Sequence, residues 1–195
     1  IAKSRGATVI ATAGSVEKRR LLTMLGADHV FNSRTLQFAD DVMAVTGQQG
    51  VDVVLNSLFS EAMERSLALL KPFGRFLELG KRDFYGDTKI GLRPFRRNVS
   101  YFGIDADQLL NAMPELSGRL LSEISELFSA GTLAPLPYRA FRADEITHAF
   151  RLMQGSGHIG KIVVLPPVEG RDAVAAAPRR DFRVDPDGVH LVIGG

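Results

Sequence analysis

Residues 51–80 constrain the fold more than any other stretch of the chain. They read VDVVLNSL, then EAMERSLALLKPF, then GRFLELG. Two short runs rich in Val and Leu flank a segment of helical period that ends at Pro72. This is the pattern of a strand–helix–strand unit in a parallel sheet, and such apolar runs predict strands buried on both faces. In sheets of this kind the chemistry collects just beyond the carboxyl ends of the strands. Here those ends carry Asn56-Ser57 and Gly80-Lys81.

The same alternation extends on both sides. Residues 1–6 read as the end of a helix stopped by Gly6, and residues 7–13 (ATVIATA) as a buried strand. Ser15 is placed to cap a helix over 16–25, with Glu17 in its first turn. A short strand is predicted at 29–31 and an amphipathic helix at 37–46, with Phe38, Val42 and Val45 on one side. Residues 82–95 are rich in Gly, Asp, Arg and Pro and read as a loop. Residues 98–104 form a strand ending before Asp105, followed by a long helical segment over 107–130 with a break near Pro114. Residues 135–141 are extended. Ile146, Ala149, Phe150 and Met153 share a helix face, and 161–165 is a final strand. The expected fold is therefore α/β, a Rossmann-type doubly wound parallel sheet followed by a C-terminal return segment.

At 195 residues with 45% apolar and 24% charged residues, the chain is long enough for a sizeable core. It has no cysteine, so neither a disulfide nor a thiolate metal site is available. A net charge of +2 with scattered arginines gives no ground for nucleic-acid binding. No apolar run reaches membrane-spanning length. His29, His148, His158 and His190 lack metal-ligand spacing, so no metal site is expected. No G-x-S-x-G turn is present, which argues against a hydrolase. No signal peptide is recognised, and the absence of cysteine fits a cytoplasmic protein.

Four groups of residues are candidates for chemistry, and each has two readings. Ser15, Lys18 and Arg19 follow the strand 7–13 at the position where a dinucleotide-binding unit selects its cofactor. They suit the 2′-phosphate of NADPH, and equally a solvated first turn with a serine cap. Cations in the first helical turn run against the helix dipole, which favours a bound anion. Asn56 ends an apolar strand, as a crevice group or as a turn residue. Lys81 follows FLELG directly. It suits a proton donor if burial or a neighbouring cation lowers its pKa, and otherwise an exposed loop lysine. Asp105 ends the next strand, within reach of the same crevice or as a helix cap.

Taken together, ATVIATAGSVEKRRLL, GADHVFNSRTLQFADDVMAVTGQQGVDVVLNSL, GRFLELGKRDFYGD and FRADEITHAFRLMQGSGHIGKIVVLPP resemble the enoyl-reductase domain of polyketide and animal fatty acid synthases. That domain belongs to the zinc-free quinone-oxidoreductase branch of the medium-chain dehydrogenase/reductase superfamily, and the style is that of mycocerosic acid synthase-like multifunctional enzymes. The resemblance implies reduction of a trans-2-enoyl thioester on an acyl carrier protein, with NADPH as cofactor, among neighbouring synthase domains and compatibly with a homodimer. Ser15, Lys18 and Arg19 would hold the 2′-phosphate, and Ser33 and Arg34 would lie near the adenosine. Asn56, Gly80 and the backbone of Phe102, Gly103 and Ile104 would line the nicotinamide side. Lys161 would approach from the return strand. Lys81 and Asp105 match positions proposed for a catalytic proton donor and its helper.

On this resemblance residues 1–134 form the NADPH-binding domain and 135–166 part of a substrate subdomain. Residues 167–188 are a linker, and 189–195 (VHLVIGG) begin a ketoreductase-like domain. The glycine-rich phosphate turn and the first strand of the sheet do not appear in the sequence, so this stretch by itself is expected to bind NADPH weakly and to catalyse nothing. The alternatives are a free-standing NADPH-dependent quinone or aldehyde reductase, and a non-catalytic structural segment of a synthase.

Overall fold

A computed structural model describes residues 1–167. The expected linker and ketoreductase-like start lie outside the described residues, Pro167 apart. The chain divides into two compact units at Pro135/Leu136. Each is considered by itself.

The first unit opens with a 3-10 turn, Lys3–Arg5, closed by Gly6 in the left-handed region. Strand β1 (Ile10–Ala13), helix α1 (Val16–Met24), strand β2 (His29–Asn32) and helix α2 (Gln37–Val45) follow. Then come β3 (Val51–Asn56), α3 (Glu61–Ala68), β4 (Leu70–Glu78), the one-turn helix α4 (Arg82–Tyr85), a 3-10 turn (Arg93–Arg97), β5 (Ser100–Gly103), α5 (Ala106–Ala112) and α6 (Pro114–Ser129). The stretch 82–95, expected as loop, thus holds a helical turn and the start of a 3-10 turn. The expected break near Pro114 is present, with Pro114 in the first turn of α6, where its missing N–H costs nothing.

All strand pairing in this unit is parallel: β1 with β2, β3 with β4, and β4 with β5. The strands form two sheets, β1-β2 and β3-β4-β5, not one continuous sheet. Helix α2 joins them. Its buried Phe38, Ala39 and Val42 pack with Leu69 against Ile10 and Phe31 of the first sheet and Val51 of the second. Val45, expected on the same side, is exposed. A second cluster places Met63, Leu67, Leu70, Phe76 and Val99 under α3, with Phe76 stacked on Tyr101 at 5.3 Å. Burying side chains of this size stabilises the fold by about 1.5–3 kcal/mol each.

Two expectations for residues 51–80 need correction. Helix α3 stops at Ala68, not at Pro72, because β4 already begins at Leu70 and carries Lys71-Pro72 in an irregular start. The main chain of Leu69 accepts the Val51 N–H at 2.9 Å, which draws this segment into the sheet. Nor are the strands buried on both faces. Val54, Phe76 and Tyr101 face the core under α3. Val53 is 44% exposed, Leu55 67% and Phe102 47%, since α3 covers only the other face.

Asp28 ties the opening turn to the sheet. Its carboxylate accepts the Val9 N–H at 2.7 Å and the Lys3 ammonium at 2.9 Å. The Lys3 hydrogen bond first, and the Val9 N–H second, hold its carboxyl below the ordinary carboxylate range. A depressed folded-state pKa gives stability that is present above the unfolded value and lost as pH falls through the folded value. We therefore expect the Val9 amide resonance to shift only below the usual aspartate range, and Asp28→Asn to abolish that shift.

The second unit, described over 136–167, contains β6 (Tyr138–Arg142), a 3-10 turn (Ala143–Glu145), α7 (Ile146–Gln154) and β7 (Lys161–Leu165). β6 and β7 pair in parallel. The Glu145 carboxylate accepts the Arg142 N–H at 3.0 Å and starts the helix. Phe141 and Ala149 are buried, whereas Ile146, Phe150 and Met153, expected on a packed face, are exposed.

Candidate functional site

The sequence-predicted residues of the first unit gather in two groups, each at the carboxyl end of a parallel sheet. The first lies at the tips of β1 and β2. Ser15 caps α1, its hydroxyl accepting the Lys18 N–H at 3.2 Å. Arg19 reaches back through Nη1 to the carbonyls of Ala13 and Gly14 at 3.1 and 3.2 Å. Ser33 donates its N–H to the Ala13 carbonyl at 3.3 Å, and the Arg34 N–H is held by the Asn32 side chain at 3.0 Å. Arg34 also lies across Gly14: a β-carbon there would sit 2.5 Å from Arg34 Nε. Ser15, Lys18, Arg19, Ser33 and Arg34, which the sequence scatters over 20 positions, thus cluster around one strand tip.

Glu17 belongs to this tip as well, although the sequence reading gives it only a place in a helical turn. Its carboxyl is held below the usual range by its own main-chain N–H first, then by the Ser15 hydroxyl, with Arg20 and Arg19 adding. The tip therefore carries one acid beside its cations. A serine cap with an acid two residues on is the signal that marks it.

The second group lies at the tips of β3, β4 and β5. Asn56, 3% exposed, does not offer its carboxamide to the crevice. Its Nδ2 donates to the Glu78 carboxylate at 2.6 Å and to the Leu58 carbonyl at 2.8 Å, and its Oδ1 accepts the Leu58 N–H at 3.2 Å. The Gly80 N–H is likewise occupied, by Glu78 at 2.6 Å, and the Ile104 N–H by the Glu78 carbonyl at 2.9 Å. The expectation that these polar groups line the cofactor directly is met for the side chain of Asn56 by an inward-facing clamp instead. Phe102 presents an exposed ring, and Gly103 lies under the Phe84 ring, 3.1 Å from where its β-carbon would be.

Lys81 stands at the rim of a cleft of about 380 Å³, lined also by Phe84, Tyr85, Gly103, Asp105 and Gln108. Its ammonium meets Asp105 at 2.8 Å and also bonds Asp107. The two carboxylates, Asp105 first, push the Lys81 pKa well above that of an ordinary lysine. This is opposite to the lowering that a lysine proton donor was expected to need. Asp105 caps α5 and Asp107 lies in its first turn, so both carboxylates reach Lys81 from the start of one helix. Asp105 caps α5 through the Asp107 N–H at 3.2 Å and binds Gln108 at 3.0 Å, so both of its readings apply at once. Lys81 first, then Gln108, draws its carboxyl below the ordinary range. Asp107 and Gln108 carry no sequence signal of this part, because nothing local distinguishes them from other first-turn residues.

Helix α4 is anchored beside this cleft. Asp83 accepts the Ser60 N–H at 3.0 Å and the Thr88 hydroxyl at 3.1 Å, and Arg82 lies 4.0 Å over the Phe59 ring. A wider depression of about 440 Å³, lined by Ala68, Arg93, Pro94, Arg96 and Arg97, lies at the opposite, amino end of β4 and β5. Lys161 opens β7 in the second unit, its N–H bonded to the Pro137 carbonyl at 2.9 Å.

Among the described residues no group of three His, Asp or Glu side chains converges as a metal site, and no helix is long and apolar enough to cross a membrane.

Comparison with known proteins adds the family. Residues 25–164 match the family model described as zinc-binding dehydrogenase. The chain is 41% identical over 196 residues to the phthioceranic/hydroxyphthioceranic acid synthase of Mycobacterium tuberculosis, and spans 9% of that protein. Among solved structures, the CurK enoyl reductase is 42% identical with a TM-score of 0.72, over 85% of this chain and 49% of that one. The nucleotide-binding subdomain of the enoylreductase domain of PpsC from M. tuberculosis is 42% identical with a TM-score of 0.63, over 68% of this chain and 74% of that one. The chain thus spans about half of the solved enoyl reductase and a small part of the curated synthase.

Proposed function

The chain belongs to the zinc-binding dehydrogenase family and matches the nucleotide-binding subdomain of polyketide synthase enoyl reductases, and from that premise we propose that it is the cofactor-holding part of an NADPH-dependent enoyl reductase. The substrate would be a trans-2-enoyl thioester presented by an acyl carrier protein, within a cytoplasmic multidomain synthase. The residues here do not fit a bound zinc ion, for the sequence has no cysteine and the described acids and histidines do not converge.

The observation that carries the reading is the cationic strand tip at β1. Arg19 bonds the Ala13 and Gly14 carbonyls and Arg34 lies against Gly14, beside Ser15 and the first turn of α1, the position at which a 2′-phosphate would distinguish NADPH from NADH. When bound, the cofactor supplies the hydride that adds to the β-carbon of the enoyl thioester. Ser15, Lys18 and Arg19 would grip the phosphate, with Ser33 and Arg34 against the adenosine. The exposed Phe102 ring and the backbone of Gly103 would form the floor on the nicotinamide side.

Lys81 takes a different part from a proton donor. Two carboxylates keep its proton in place, so it serves as a fixed positive charge at the cleft. There the N–H that the two carboxylates leave over would donate to the thioester oxygen as negative charge gathers on it, before the α-carbon is protonated. Asp105 and Asp107 hold the ammonium in position.

The test is cofactor selectivity in the enoyl reductase with its complete flanking sequence. A Lys18→Ala/Arg19→Ala variant is expected to raise KM for NADPH by about 10²-fold, two charge-assisted hydrogen bonds being lost, and to leave KM for NADH nearly unchanged. An equal rise for both cofactors would place the phosphate elsewhere.

A further inference from the structure

Glu78 is the most deeply buried charged side chain of the site, 1% exposed, and the reaction as described gives it no part. It sits in the run FLELG with apolar neighbours on both sides. No ion pair involving it occurs among the described residues. Its carboxylate is instead met by two neutral donors. Oε2 accepts from Asn56 Nδ2 and Oε1 accepts the Gly80 N–H, both at 2.6 Å. Its main-chain carbonyl accepts the Ile104 N–H at 2.9 Å.

These three bonds reach the exits of all three strands of the second sheet. Asn56 is the last residue of β3. Gly80 is the turn after β4, directly before Lys81. Ile104 directly precedes Asp105. A buried carboxylate costs free energy unless donors replace its water, and here the donors are Asn56 and the Gly80 N–H, at the ends of β3 and β4. Gly80 must lack a side chain for this to work, since a β-carbon there would lie 2.7 Å from Glu78 Oε1.

We propose that Glu78 is a positioning residue for the enoyl reductase reaction: it locks the tips of β3 and β4 together and thereby places the Lys81 ammonium against Asp105 at the cleft. This rests on the enoyl-reductase reading above. Hydrogen-bond complementarity makes the proposal specific. Asn56 Nδ2 and Gly80 N are both donors, so the site needs a group that accepts at both oxygens. Glutamine has the same size but presents one donor, so in Glu78→Gln one of the two ties must break while the volume of the core is kept. Exchanging the partners as well, in Glu78→Gln/Asn56→Asp, restores one donor facing one acceptor between residues 78 and 56 and leaves an acceptor for Gly80, at the cost of the Asn56 Nδ2 bond to the Leu58 carbonyl.

The experiment uses the enoyl reductase with its complete flanking sequence and two readouts. The first is steady-state reduction of a trans-2-enoyl thioester by NADPH. Glu78→Gln is expected to lower kcat by about 10²-fold, the loss typical of a misplaced reacting group, with KM for NADPH little changed because the phosphate grip lies at the tip of β1. The double variant is expected to recover part of that loss, since the tie between residues 78 and 56 returns while the bond to the Leu58 carbonyl does not. The second readout needs no turnover: the NMR titration of the Lys81 Cε in protein carrying carbon-13-labelled lysine. In the wild type its pKa is expected above the ordinary lysine value. In Glu78→Gln it falls back toward that value, and in the double variant it rises again. If Glu78→Gln keeps both kcat and the Lys81 titration, the proposal is overturned. If Glu78→Gln does not fold, the double variant decides: a raised Lys81 pKa with high kcat supports the proposal, and an ordinary Lys81 overturns it. A wild-type protein inert toward enoyl thioesters would remove the functional reading, and the Lys81 titration would still judge the placement.

Discussion

Lys81→Ala, made in the enoyl reductase with its complete flanking sequence, is expected to lower kcat by about 10²–10³-fold, the loss seen when one preorganised stabiliser of an oxyanion is removed. KM for NADPH should barely move, since the phosphate grip is at β1 and Lys81 follows β4. Lys81→Arg keeps a cation but replaces a compact ammonium by a planar fork, so it should recover only part of the rate. The carboxylates allow a sharper distinction. Asp105 and Asp107 raise the Lys81 pKa, so its charge persists as pH rises through the ordinary lysine range. Asp105→Asn/Asp107→Asn lets that pKa fall. If Lys81 gave its own proton to the α-carbon, the weakened hold would make it a better acid and preserve or raise the rate. As a fixed charge it loses its placement, and the rate falls.

The pair also sets a pH window for its own stability contribution. Lys81 is raised, so its share is present below the unfolded lysine value and lost as pH rises through the folded one. Asp105 is depressed, so its share is present above the unfolded aspartate value and lost as pH falls through the folded one. Both groups lie at the surface of the cleft, and the wild-type rate should accordingly show no loss of the Lys81 charge at neutral pH.

A large stability effect is expected from Gly50→Ala. Gly50 enters β3 with φ of +81°, in the left-handed region that penalises a side chain. A β-carbon there would lie 2.1 Å from the Leu69 carbonyl oxygen. That oxygen is main chain and already accepts the Val51 N–H at 2.9 Å, so it cannot move aside without opening the junction of β3 and β4. Leu69 is itself part of the core cluster under α2. Backbone strain and overpacking together should cost about 3 kcal/mol or more. For a chain of this size that lowers Tm by roughly 10 °C. Gly47→Ala is the control, because its φ is also positive at +58° but nothing lies within 4 Å of its β-carbon. It should show only the smaller, conformational part of the loss. Equal effects at the two positions would mean that the contact with Leu69 carries no strain.

Most of the elements were legible in the residues, the helical turns of 82–95 excepted. Period-two and period-3.6 apolar patterns, Ser15 as a cap, Gly6 as a stop and Pro114 at a helix start are local, and local physics decides them. Where β4 begins was not legible, because Leu69 and Leu70 continue the helical apolar pattern of α3 and only pairing with β3 draws them into the sheet. The direction of the Lys81 pKa was not legible either. A lysine after a strand has a lowered or raised pKa according to what comes to face it. The two carboxylates that decide the matter arrive from α5, 24 and 26 positions along the chain.

Glu78 shows the same division in one residue. An acid inside FLELG is visible as an anomaly, yet its partners are 22 positions back and two positions on, and only the parallel register of β3 and β4 brings them to one point. Sequence alone thus determined the kinds of elements, their order, the family pattern and the residue types at each strand end, all of which depend on neighbours within a few positions. Tertiary structure alone decided which strand ends meet, which side chains are spent on one another and which way a pKa moves. Those depend on distance through space, and the chain carries no local record of that distance.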